Sequence, residues 1–426
     1  MKFNTITRSA MATGMSLALG LGAVACSRDY TAAYVYSVSN QSASTATSLV
    51  NAYGVDYQTG EITQISGSPF PTNFTNPVTL VAAPNGKTLY IIGGNQNAQV
   101  ESMSIGSDGK LYGTASPDIT GTYATAAAID TTGTFLYVAY TYQIGFGPVA
   151  QGPGGVTIYP IKLDGTLGTP TNQNVGINPV AIAVSAPTCT TTPAISGNPA
   201  CSTGGFPNVF VYVVDQEVSP AVPNILGFTQ NTTNGALTAT SGTTCAPSPG
   251  TCTGTPIGVS PSAIAIDPTS KYLYVTDRLQ NEIFGYQISS LNTGNLVALR
   301  SNPTATGSYP VSITIEPRGK YVYVANYNSG TVSSYSLNLG TGALGGSAGS
   351  GSFTTATGPT CVTVEPALGI YLYTSNYLDG SISAGQLSAD TGQLSGVANS
   401  PFPTGTQPTC LTSVANGPHS SQLVTQ

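Results

Sequence analysis

Apolar runs punctuated by Pro, Gly and Asp recur along this chain about 50 residues apart, and each run has the same layout. Seven of them contain a tyrosine at the same place: Tyr34-Val35-Tyr36, Leu89-Tyr90-Ile91, Leu136-Tyr137-Val138, Val211-Tyr212-Val213, Leu273-Tyr274-Val275, Val322-Tyr323-Val324 and Leu372-Tyr373-Thr374. Upstream of most lies a second apolar stretch opened by proline, as in Pro179-Val180-Ala181-Ile182 or Pro310-Val311-Ser312-Ile313. Proline lacks an N–H and is tolerated at the first position of a strand. The two stretches are separated by turns such as Asp267-Pro268-Thr269-Ser270-Lys271 and Glu316-Pro317-Arg318-Gly319-Lys320. Downstream comes a strand like Thr331-Val332-Ser333-Ser334-Tyr335-Ser336-Leu337, then Gly-x-Leu, as in Gly235-Ala236-Leu237, Gly342-Ala343-Leu344 and Gly392-Gln393-Leu394. The pattern predicts four short strands per unit with two-residue alternation.

A four-stranded meander cannot bury both faces by itself, so the units have to stack, and closing the stack into a ring leaves no sheet face bare. The first unit lacks a Pro-led strand, whereas Pro408-Thr409-Cys410-Leu411-Thr412-Ser413-Val414 is such a strand with nothing after it. The expected fold is therefore all-β: a seven-bladed β-propeller of four-stranded antiparallel blades over residues 33–416. The C-terminal strand closes the ring, and residues 417–426 form a disordered tail. An open solenoid would leave both orphan pieces unpaired.

Composition agrees. Only 7% of the 426 residues are charged, while Gly (50) and Pro (30) supply turns, and 40% apolar residues with 24 Tyr supply a core. The formal charge of −6 becomes −8 without Lys2 and Arg8, so the chain carries no footprint for nucleic acid or an anionic lipid surface. The partners this leaves are a small-molecule, glycan or protein ligand, with the chain a monomer.

Residues 1–25 read as a signal peptide: Lys2 and Arg8 precede a small-residue stretch too short for a membrane anchor. The run Leu21-Gly22-Ala23-Val24-Ala25-Cys26 resembles the bacterial lipobox, with Ala23 in place of the usual Leu. That resemblance implies lipidation of Cys26, a linker over 26–32, membrane contact through the lipid alone and, with Ser27 next, the outer membrane. Six cysteines remain for an oxidising compartment. Cys189 and Cys201 flank one insertion, Cys245 and Cys252 another, and Cys361 and Cys410 share the context Pro-Thr-Cys; fifteen connectivities are open. With no Cys-x₂-Cys spacing and one His, a zinc site is not expected.

The segments Leu273-Tyr274-Val275-Thr276-Asp277, Val322-Tyr323-Val324-Ala325-Asn326-Tyr327 and Leu372-Tyr373-Thr374-Ser375-Asn376-Tyr377, with their flanking turns, resemble two groups of seven-bladed propellers. One is the lactonase family that includes propeller-type 6-phosphogluconolactonases; the other is the YVTN-repeat surface proteins. The resemblance spans about residues 33–416 and implies the fold; it also brings lactone hydrolysis, a carboxylic ester hydrolase activity, into consideration.

The residue after each tyrosine strand should stand at the channel mouth, giving the ring Ser39, Gly93, Tyr140, Asp215, Asp277, Asn326 and Asn376. The expected ligand-binding set is Tyr140, Asp215, Glu217, Asp277, Arg278, Asn326 and Asn376, with Asp215 or Asp277 as the base if catalysis occurs. No cofactor is expected, although such oxygens could take a divalent cation. The competing reading is that Asp and Asn here make Asx-turns on local backbone. Asp130, Asp267, Glu316 and Glu365 each close a first strand and read as turn-makers at the opposite end, while residues 346–351 read as a Gly/Ser linker. His419, the single His, lies in the tail, which argues against a His-based triad. Long insertions at 143–154, 188–207, 219–223 and 243–256 decorate blades three to five. Two functions fit: an exported lipoprotein presenting a binding surface at the cell envelope, or an active lactonase acting on a sugar-acid lactone.

Overall fold

The computed structural model describes residues 31–40, 47–94, 96, 98–113, 119, 121–143, 153–188, 208–216, 222–246, 252–289 and 293–417, with the main chain alone at 347–350. Among the described residues there is no helix, and seven antiparallel sheets form the blades. Blade 5 shows the plan: Pro261–Ile266, Tyr272–Asp277, Glu282–Ile288 and Leu296–Ala298 pair in chain order. The proline-led first strands stand round a central channel, each against the first strand of the next blade. In blade 1 that place is filled by the C-terminal strand Gln407–Ala415, which pairs antiparallel with Thr31–Asn40 in the register Tyr36↔Thr412 and Val38↔Cys410. The ring is shut by joining the two ends of the chain, and the Cys361–Cys410 disulfide ties blade 7 to blade 1 at the same seam.

Two details depart from the sequence reading. In blades 1, 4, 5 and 7 the outermost strand is in two pieces: Ile62–Gln64 and Phe70–Pro71 both pair with Leu49–Asp56 in blade 1. Residues 346–351 are not a linker; they lie within the outer strand Leu344–Thr354 of blade 6, paired with Thr331–Leu337 through two register shifts. Main-chain bonds to the neighbouring strand are available to any residue with an N–H, so a Gly/Ser stretch is extended here by its partner.

Each second strand is buried at every position from Tyr272 to Asp277 and from Tyr321 to Asn326. Alternate side chains belong to different cores. In blade 4, Phe210, Tyr212 and Val214 pack with Leu273 and Val275 of blade 5, while Val211 and Val213 pack with Tyr137 and Ala139 of blade 3. A strand sandwiched on both faces has no polar register, which is why Phe-Val-Tyr-Val-Val reads as a continuous apolar run.

The recurrent tyrosine has one job in all seven blades. Its hydroxyl donates to the carbonyl of a glycine in the turn between the third and fourth strands of the next blade: Tyr36 to Gly109, Tyr90 to Gly165, Tyr137 to Gly235, Tyr212 to Gly294, Tyr274 to Gly342, Tyr323 to Gly392 and Tyr373 to Gly60, at 2.6–3.2 Å. The last bond closes the circle. At Gly342 φ is +72°, and a Cβ there would run into the ring of Tyr272, so conformation and space both require glycine.

Candidate functional site

The ring of residues ending the second strands is where the sequence reading puts it, beside the first-strand prolines: Asp215 pairs with Pro179, Asp277 with Pro261, Asn326 with Pro310 and Asn376 with Pro359. Their side chains, however, are spent on the loops around them. The Asp277 carboxylate accepts four main-chain N–H bonds, from Val259 (2.5 Å) and Ser260 (2.8 Å) before the first strand of its blade and from Leu279 and Gln280 (both 3.0 Å) after its own strand. Asp215 accepts from Ile177 (2.9 Å) and Asn178 (2.7 Å). Both are fully buried. The glycines three residues ahead of the prolines, Gly176 and Gly258, have positive φ, and a Cβ on either would strike these carboxylates. Asn326 Nδ2 donates to Thr331 and Ser333, and Asn376 Nδ2 to Ser381 and Ser383. Tyr140 is also fully buried, in a slot beside Gly121 and Gly155, and burial pushes its phenol up to about 12.

Of the two readings of the ring, the turn-making one is what this arrangement fits for Asp215 and Asp277. A carboxylate saturated by main-chain donors and shut from solvent holds a loop; to take a proton from a water it would have to abandon those donors. Tyr140, Asn326 and Asn376 are likewise fully buried. No group of three His, Cys, Asp or Glu side chains that could hold a metal ion is found among the described residues.

Half-buried side chains lie one step away: Gln216, Arg278, Tyr327 and Tyr377 follow ring positions, and Asn178 and Tyr309 precede first-strand prolines. The main-chain N–H of Gln216, Arg278 and Tyr327 donates to the carbonyl of Asn178, Ser260 and Tyr309 respectively. Side chains then link the blades. Thr141 of blade 3 bonds Asn178 (3.4 Å), Asn178 bonds Gln216 (3.4 Å), and Gln216 Nε2 donates to Ser260 Oγ of blade 5 (2.7 Å). Arg278 Nε donates to that same oxygen (2.9 Å), and its guanidinium carbon lies 5.9 Å from the ring centroid of Tyr309 in blade 6, which neighbours Tyr327 at 6.1 Å. On blade 3, Tyr123 and Tyr142 meet edge to face at 5.5 Å. Tyr123 and Tyr309 have φ of +59° and +61°, a region bulky side chains rarely occupy and one enriched where a site is held against strain.

Arg278 is the one cation on this face among the described residues. Lys87, Lys271, Arg318 and Lys320 sit in turns between first and second strands, and Lys110 and Lys162 between third and fourth, all at the opposite end; Arg300 is on the outer edge of blade 5. The opposite end also holds the turn carboxylates. Asp267 accepts from the N–H of Thr269, Lys271 and Tyr272, Asp130 from Thr134 and Phe135, Glu365 from Ala367, Leu368 and Ile370, and Glu316 from Arg318 and Lys320, with the Arg318 guanidinium on Glu316 at 2.8 Å. A cleft of about 1030 Å³ opens there, between Tyr34, Lys87 and Asp164. It is lined by the same turns that carry the tyrosine ties, so we place the candidate site at the other end, where side chains differ from blade to blade.

Of the six paired cysteines expected, Cys245–Cys252 staples a small hairpin in the 243–256 insertion and Cys361–Cys410 the ring seam. Cys189, Cys201, Cys26, Glu217 and His419 lie outside the described residues. Sequence reasoning found Arg278 but missed Gln216, Tyr309, Tyr327, Tyr123 and Tyr142. The repeated Asn-Tyr of Asn326-Tyr327 and Asn376-Tyr377 was the available signal, with the half-buried member second.

Comparison with known proteins agrees with this architecture. No curated protein sequence matches the chain. A provisionally named 6-phosphogluconolactonase from Bacteroides uniformis superposes with a TM-score of 0.66 at 17% identity, covering 90% of this chain and 100% of its own. The periplasmic gluconolactonase PpgL of Pseudomonas aeruginosa gives 0.65 at 15% identity, covering 90% and 99%. At such identities the likeness shows the fold alone. The family model described as lactonase, 7-bladed beta-propeller matches residues 33–180 and 207–364, and the chain belongs to that family.

Proposed function

We propose that this chain is an exported lipoprotein, anchored through Cys26, whose channel mouth binds a small oxygen-rich ligand at the cell envelope. The observation that carries the reading is the one-sided mouth: from blade 3 to blade 6 a chain of Thr141, Asn178, Gln216, Ser260, Arg278 and Tyr309 runs across successive blades, an arrangement that the other blades do not repeat among the described residues. A rim with one fixed guanidinium, amide groups and aromatic rings is a small-molecule site in its chemistry. Membership of the lactonase family supports a second reading, hydrolysis of a sugar-acid lactone at this mouth. With Asp215 and Asp277 engaged by main chain, Arg278 is the mouth group suited to stabilise the oxyanion formed when water adds to a lactone carbonyl.

A single set of assays on the full chain separates the readings. Sugar acids and lactones are screened by thermal shift, and lactone hydrolysis is followed by proton release, for the parent, Arg278→Gln and Tyr327→Ala. Stabilisation lost in both variants without turnover supports the binder; turnover lost in Arg278→Gln supports the lactonase. Ligand effects that both substitutions leave unchanged would contradict the mouth as the site.

A further inference from the structure

We infer that the mouth is selective for a sugar acid or its lactone that carries no phosphate. On this assignment Arg278 reads the carboxylate or lactone oxygens, and the tyrosines of blades 6 and 7 pack on the carbon face of the sugar. The inference rests on the mouth being the ligand site. Arg278 is positioned before any ligand arrives: its N–H holds the Ser260 carbonyl at 3.0 Å, its Nε holds Ser260 Oγ, and the Tyr309 ring lies beside the guanidinium. Ser260 is in turn fixed by Gln216 and buried. With Nε engaged, the two terminal nitrogens remain as a planar fork, the shape that matches a carboxylate's two oxygens. Among the described residues no carboxylate forms an ion pair with Arg278.

Charge sets the selectivity. The guanidinium balances one negative charge. A phosphate monoester adds close to two more, and no second lysine or arginine lies on this face among the described residues to meet them. The neighbouring fixed charges have the wrong sign: the buried Asp215 and Asp277 carboxylates lie beneath the rim, Glu282 opens the third strand of blade 5, and Asp379 stands in the loop of blade 7. A half-buried rim with one cation among these carboxylates favours a monoanion or a neutral lactone over a trianion. The apolar side fits a sugar. Tyr327 and Tyr377 hold the same half-buried place in successive blades, and Leu279 and Leu378 beside the mouth are 63% and 57% exposed.

Isothermal titration of the full chain with gluconate, 6-phosphogluconate and methyl glucoside tests this. The expected result is that gluconate binds, that Arg278→Gln weakens it at least tenfold while Arg278→Lys weakens it less, and that 6-phosphogluconate binds at least threefold more weakly than gluconate. A thermal melt of each variant confirms folding. If 6-phosphogluconate binds within threefold of gluconate or more tightly and Arg278→Gln still weakens it, the selectivity is overturned and the mouth stands as the site. Gluconate binding untouched by both Arg278→Gln and Tyr327→Ala, or no heat with any of the three, overturns the site together with the inference.

Discussion

The two ends of the ring follow different rules. At the end carrying the turns between first and second and between third and fourth strands, the same contact is repeated seven times: a buried tyrosine hydroxyl on the carbonyl of a left-handed glycine in the next blade. At the mouth the main-chain scheme repeats but the side chains do not: Gln216, Arg278, Tyr327 and Tyr377 occupy one structural place in four blades. Repetition marks what every blade needs to stack. Variation on a repeated backbone marks what the individual molecule uses. Asp277 and Arg278, neighbours in sequence, fall on opposite sides of that division.

The comparison can be strained first at high pH. All seven tie tyrosines are pushed above the ordinary tyrosine range, chiefly by burial, Tyr90 to about 12. Below about pH 9 folded and unfolded tyrosines are both protonated. Between about 10 and 12 the unfolded chain loses those protons while the folded one keeps them, so stability falls through this window. Urea titrations at pH 8, 10 and 11.5 are expected to show a steep drop across the upper two; a flat profile would mean the tyrosines ionise freely in the fold. Next in size is the seam. The Cys361–Cys410 bridge spans 49 residues, for which chain entropy gives roughly 4 kcal/mol. Replacing both by Ser is expected to lower the unfolding free energy by about that amount, and an unchanged urea midpoint would mean that the C-terminal strand closes the ring without covalent help. Smaller again is Asp277→Ala, which strands four N–H groups in part-buried loops and is expected to cost about 2–4 kcal/mol. Loss of ligand response with no loss of stability in that variant would return Asp277 to the role of a mouth ligand.

How legible this was in the sequence depends on the same division. Seven blades, the four-strand plan and the closing strand follow from repeated Tyr motifs, Pro-led runs and two orphan ends, because stacking imposes one solution on every copy. The role of the ring carboxylates was legible only as two alternatives, a ligand site or Asx-turns on local backbone. Asp277 and Asn326 are ordinary site residues by chemistry, and only the positions of the Val259 and Ser260 N–H groups show that the carboxylate is already satisfied. Gly176 and Gly258 hold part of that answer in the sequence, since a Gly three residues before the strand proline accompanies an Asp at the end of the following strand. The 346–351 segment misled for the opposite reason: its composition is that of a linker, and its strand exists through the partner it pairs with.

Blade 5 alone holds a test of the whole division, in Tyr274 and Arg278. Thermal unfolding and gluconate affinity should be measured side by side on Tyr274→Phe and Arg278→Gln. The account predicts that Tyr274→Phe, which leaves the buried Gly342 carbonyl without its donor, costs about 1–3 kcal/mol and leaves affinity within twofold. It predicts that Arg278→Gln keeps stability within about 0.5 kcal/mol and loses affinity at least tenfold. The reverse assignment of the two losses would contradict it.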